Sequence, residues 1–357
     1  MAQAVRIKRS PSLLGQLKSR MLGLSLEEAS FCRRGFPGID SSSRAHLESV
    51  IHTFIKGYNL AVEAADMMEL SDRLDSSFSP AFVGFAYEGA GLYFGLLDLL
   101  VPRSKSRLDE FTHTAARDHD YIVSVGAGLA IARAPLGLRR LESYQRTLDP
   151  MTAWCLADGY GFHQGFFHWK RFIERRQAAP ESLNPQNRRL FDAGVGRSMW
   201  WVFGADPASI ASAISRFDGA RAHEMWAGIG TALAYAGGEQ SGASSFLLNM
   251  AGPYRFDLLS GIPFAAHMRY KGRNPSECTD RVCWSLLGMS VAETSDLIVT
   301  ELAAYLASWQ GSETDKWNGC YVALRDRVKR RLENGPTNHP IPSPGEEGNW
   351  REKNDNQ

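Results

Sequence analysis

The chain has 357 residues, enough for one large domain or two modest ones with a proper core. Its 44% hydrophobic and 22% charged residues are the mix of an ordinary folded soluble protein. A net charge of +1, with no long basic or acidic block, argues against nucleic acid as a partner. The five cysteines, Cys32, Cys155, Cys278, Cys283 and Cys320, form no CxxC, so reduced thiols in a cytoplasmic protein are expected.

Residues 1–30 read as a basic lead-in. Leu13, Leu14, Leu17, Met21 and Leu22 fall at helical spacing, which suits a helix docked on the body. Contact with a membrane surface is the weaker alternative. Lys18 and Arg20 interrupt any apolar signal segment. Beyond a turn at Cys32–Pro37, residues 45–65 form a helix with Leu47, Val50, Ile51, Phe54, Tyr58 and Val62 on one face. A second helix covers residues 66–74. The apolar stretch Val83–Val101 carries Glu88 and Asp98, which suits a buried helix better than a membrane span. Alternating Val/Ile/Thr runs are nearly absent, so the expected fold class is all-α.

The chain echoes itself. Phe54-Ile-Lys-Gly57, Ala65-Asp66, Phe85 and Gly89 recur as Phe191-Asp-Ala-Gly194, Ala205-Asp206, Trp226 and Gly230. Val125-Gly-Ala-Gly-Leu-Ala130 likewise matches Ala227-Gly-Ile-Gly-Thr-Ala232. A duplicated helical module around a central pocket accounts for this, with modules at residues 31–187 and 188–333 and a disordered polar tail at 334–357. In this alignment His163 faces Ala265 and Glu88 faces Ile229, so these unshared residues are candidates for function.

The stretch Asp158-Gly-Tyr-Gly-Phe-His-Gln-Gly-Phe-Phe-His-Trp169 is dense in aromatic and polar groups and suits a pocket wall. His163 is the expected acid/base, with Glu88 or Asp158 as partner and His168 nearby. Trp154, Tyr160, Phe162, Phe166, Phe167, Trp169, Arg197 and Trp201 are the expected substrate-binding residues. His163 and His168 are five apart, about 140° on a helix, so no chelating pair and no metal site is assigned. Glu88 suits a carboxyl with a raised pKa or an ion pair with Arg133, Arg197 or Arg255. Asp206 before Pro207 reads as a helix N-cap. No dinucleotide fingerprint, Walker sequence, GxSxG elbow or DDxxD run is present, and no cofactor is specified.

Several phrases together resemble the UnbL-type family of enediyne and related natural-product gene clusters. They are Arg34-Gly-Phe36, Gly84-Phe-Ala-Tyr-Glu-Gly-Ala90, Leu148-Asp-Pro150, Asp158-Gly-Tyr-Gly-Phe-His163, Gly204-Ala-Asp206, Trp226-Ala-Gly-Ile-Gly230 and Tyr235-Ala-Gly-Gly238. The resemblance runs from about residue 30 to about residue 310. It implies secondary-metabolite biosynthesis on a lipophilic, polyene-like intermediate, through cyclisation, isomerisation or tailoring. A non-catalytic accessory that binds such an intermediate or a partner biosynthetic enzyme is the alternative. The resemblance supplies no catalytic residues.

Overall fold

The computed structural model describes residues 22–101, 103–240, 242–310 and 320–334. The expectations for the lead-in before residue 22 and for the tail after residue 334 fall outside these residues. All regular structure among the described residues is helical, with no strand.

In chain order the helices are α1 (Phe31–Arg34), α2 (Arg44–Glu63), α3 (Met67–Ser77), α4 (Pro80–Leu100), α5 (Arg107–His113) and α6 (Asp120–Arg133). Next come α7 (Gly137–Gln145), α8 (Cys155–Phe167), α9 (Pro185–Val202), α10 (Pro207–Ile214) and α11 (Gly219–Ala236). The series ends with α12 (Ala243–Ala251), α13 (Arg255–Lys271), α14 (Glu277–Leu287), α15 (Val291–Ser308) and α16 (Cys320–Asn334). Short polar signals set many of the starts. Asp66 caps α3 by accepting from the amides of Met68 and Glu69 at 2.9 and 2.8 Å. Asp206 caps α10 through Ser209, with Pro207 in the first helical position, as its sequence context predicts. The 187/188 junction lies inside the first turn of α9, and helices on both sides of it share one core.

Seven long helices, α2, α4, α6, α8, α9, α11 and α13, form the inner layer, each packed on the next in chain order. A Gly-x-Gly motif explains how. It occurs as Gly89-Ala-Gly91 in α4, Gly126-Ala-Gly128 in α6, Gly159-Tyr-Gly161 in α8, Gly194-Val-Gly196 in α9 and Gly228-Ile-Gly230 in α11. The first glycine of each motif touches the preceding helix and the second touches the following one; Gly57 and Gly261 close the two ends of the series. A Cβ on Gly89 would lie 2.0 Å from the Phe54 carbonyl oxygen, and one on Gly126 would lie 1.8 Å from that of Glu88. Only glycine lets the two backbones approach so far, and the geometry suits Cα–H···O contacts that help offset its poor helix propensity. Corresponding glycines are 33 to 37 residues apart, one inner helix plus its connection.

Neighbouring inner helices run in the same sense. Tyr121 and Arg133 of α6 meet Trp154 and Phe167 of α8, and Asp158 and Phe162 of α8 meet Arg197 and Trp201 of α9. The series also curls back on itself. His46 at the start of α2 lies 2.7 Å from the Ala236 carbonyl at the end of α11. Arg269 near the end of α13 donates to the Ala81 carbonyl at the start of α4, 2.8 Å away. The inner helices thus wrap a central space. The apolar helix α4 is buried within this core, and no single helix among the described residues is long and apolar enough to cross a membrane.

Candidate functional site

The glycine register also decides which side chains face the centre. In α6, α8 and α9 the residue before the first glycine, and the residue one turn further on, line the cavity: Val125 and Leu129, Asp158 and Phe162, Ala193 and Arg197. Glu88 occupies the same first position in α4, and Thr231 and Phe264 occupy the second position in α11 and α13. The resulting cavity holds about 950 Å³ of unfilled space, counting the part open to solvent. Its walls are largely aliphatic and aromatic, with Phe54, Phe85, Trp154 and Tyr321 among them.

Three charged side chains interrupt that apolar surface. Asp158 accepts from Arg197 Nη2 at 2.5 Å, both side chains being almost wholly buried. The Arg197 guanidinium also lies 4.5 Å from the centre of the Phe162 ring. Glu88, 6% exposed, is close enough to feel both charges but makes no hydrogen bond among the described residues through its carboxyl. Burial pushes its pKa up to about 7; Arg197 draws it down and Asp158 pushes it further up. Asp158 is also raised by burial, against the pull of Arg197. The cavity therefore holds an ion pair beside a carboxyl that exchanges its proton near neutral pH. Trp201 adds an indole N–H that is buried and has no acceptor among the described residues.

Of the residues singled out in the sequence, Glu88, Asp158, Trp154, Phe162, Phe166, Phe167, Arg197 and Trp201 line the cavity. His163, His168, Tyr160 and Trp169 do not. His163 follows Phe162, so a turn of about 100° carries it off the inner stripe. It is buried against Phe167, ring centres 4.5 Å apart, and its Nδ1 has no partner among the described residues. Burial, and then the positive charges of Arg133, His168 and Arg34, depress its pKa to about 3, a poor setting for a base at neutral pH. His168 is exposed at the end of α8. Tyr160 packs on Phe191, and Trp169 donates to the Arg34 carbonyl at 3.1 Å. Of the ion-pair candidates for Glu88, only Arg197 acts on it, and Asp158 already engages that guanidinium.

Lining residues outside the sequence-derived set include Phe54, Phe85, Thr231, Tyr235, Phe264 and Tyr321, the last stacked on Trp154 with ring centres 3.6 Å apart. The glycine register picks out Thr231 and Phe264. Tyr321 comes from α16, outside the register, and no local signal marks it.

With this site in view, the sequence matches over residues 13–332 a family described as a protein of unknown function (DUF1702). The chain belongs to the DUF1702 family. The match spans every inner helix and the three charged residues of the cavity. No curated protein and no solved structure matches this DUF1702 chain.

Proposed function

We propose that this protein is an enzyme of natural-product assembly that takes a lipophilic, polyene-like intermediate into the central cavity and cyclises or isomerises it by proton transfer. One observation carries the reading: a carboxyl with a pKa of about 7, buried in a cavity of aromatic and aliphatic side chains. Glu88 is the proton donor. A proton delivered to a carbon–carbon double bond leaves a carbocation, and the faces of Phe162, Trp201 and Trp154 favour positive charge in that dry space. Loss of a neighbouring proton to the Glu88 carboxylate restores a neutral product and regenerates the acid. No electrons are gained or lost over the cycle. The Asp158–Arg197 pair positions the wall and keeps a fixed dipole beside the acid.

The test is the metabolite profile of a deletion strain complemented with the wild type or with Glu88→Gln. The amide keeps the shape and removes the acid. A folded Glu88→Gln protein that accumulates the precursor supports the reading. Full restoration of the product refutes proton transfer and leaves a protein that binds an intermediate or a partner biosynthetic enzyme.

A further inference from the structure

Beside the cavity, the catalytic reading leaves a group of positive charges unused. Phe167, at the end of α8, lines the cavity and has two guanidinium groups against its ring. Arg34 lies 4.4 Å from the ring centre and Arg133, at the end of α6, lies 5.1 Å from it. Arg133 lowers the affinity of Arg34 for a proton, although burial lowers it more; burial also lowers that of Arg133, against the opposing pull of Tyr58. Glu28 pairs with Arg34 on its outer side. Arg133 has no ion pair and no hydrogen bond among the described residues, although it is more than half buried. Two like charges held together in a partly dry place, one of them without an ionic partner, are a setting that a bound anion would relieve. Next to them the Nδ1 of His163, 6% exposed, is a second polar atom without a partner.

We propose that Arg34, Arg133 and His163 form an anion subsite that holds the phosphate or carboxylate head of an amphiphilic ligand, whose chain runs past Phe167 into the cavity. Arg133 and Arg34 supply charge-assisted donors, and neutral His163 supplies an Nδ1–H in the matching tautomer. The distance to the acid fits a chain. Gly126 of α6 touches the Glu88 backbone, and Arg133 follows Gly126 by seven residues, about 10 Å along the helix. A head held at Arg133 thus places carbons several bonds away beside Glu88. This subsite rests on the reading of the cavity as a lipophilic ligand site and names the class of ligand it takes.

The test measures binding of dodecyl phosphate, dodecanoate and dodecanol to the full-length protein through Trp154 and Trp201 fluorescence, checked by calorimetry. Wild type is expected to bind an anionic probe about tenfold or more tightly than dodecanol. Arg133→Gln should abolish that preference while dodecanol affinity stays unchanged, and Arg133→Lys should retain part of it. Arg34→Gln gives a second reading should Arg133→Gln fail to fold. A preference for dodecyl phosphate alone assigns a phosphate head, and equal gains for dodecanoate assign a general anion site; both support the proposal. Dodecanol binding as tightly as both anions, or a preference that survives both glutamine variants, overturns the subsite and leaves the cavity standing. Failure of all three probes to bind overturns the cavity reading and the subsite with it.

Discussion

Glu88 and Asp158 stand at the same register of two inner helices, yet only Asp158 has a direct ionic partner. That difference makes one a structural ion and the other a titrating acid. The folded pKa of Glu88, about 7, lies above the ordinary glutamate value of 4.5, so between these the unfolded chain binds fewer protons. Stability from this residue is therefore fully present below 4.5 and is lost as pH rises to 7. Urea unfolding across that range should show Glu88→Gln gaining on the wild type by about 3 kcal/mol. Parallel curves would sink the assignment. Arg197→Met leaves Asp158 buried and unpaired, so a loss of about 4 kcal/mol is expected. Adding Asp158→Asn should recover much of it, and a double-mutant cycle by chemical denaturation reads the coupling.

At the scale of the element, the Gly-x-Gly helix is the repeating unit. Gly126→Ala would drive a methyl into the Glu88 carbonyl and should cost about 3 kcal/mol, the upper range for overpacking. Gly219→Ala is the control, since the nearest atom, the Tyr254 hydroxyl, is 3.5 Å away. It should change the unfolding free energy read from urea denaturation by less than about 1 kcal/mol in either direction. Equal effects at the two sites would show that helix propensity, not close approach, explains the glycines. Part of this unit is legible in the sequence. Val125–Ala130 and Ala227–Ala232 match because both are inner helices with both glycines. The motif recurs in five helices, but between its glycines stands Ala, Tyr, Val or Ile, and that variation hides it from pairwise comparison. The aromatic density of residues 158–169 correctly marks a wall, since Phe162, Phe166 and Phe167 face inward. His163, one residue past Phe162, stands off that lining.

For the whole molecule, His163 is buried and His119 and His267 are partly buried, with pKa values near 3, 4 and 4, chiefly through desolvation. Between those values and 6.5 the unfolded chain binds more protons, so their contribution is lost as pH falls through that window. Glu88 and Asp192, raised to about 7 and 6 mainly by burial, act in the opposite direction, as do Asp109, Asp120, Asp158 and Asp280, which burial also raises. The three histidines carry large shifts across this whole window and outweigh the carboxyls, so the Tm should fall between pH 6.5 and 4. A Tm that stays level or rises over that range would show that these histidines are not buried as neutral groups.

The sequence by itself determined the helical class, the capped starts at Asp66 and Asp206, and the unusual presence of Glu88 in an apolar helix. Each is set within a few residues of the chain, by propensity, hydrogen-bonding side chains or local apolarity. Only the tertiary structure decided that Glu88, Asp158 and Arg197 meet, that His163 stands outside the cavity, and that Arg34 and Arg133 share one ring. Those meetings depend on the angle and rotation at which helices distant in the chain cross. Backbone contact at the glycines sets how the inner helices meet, and which helices those are is decided only when the chain folds.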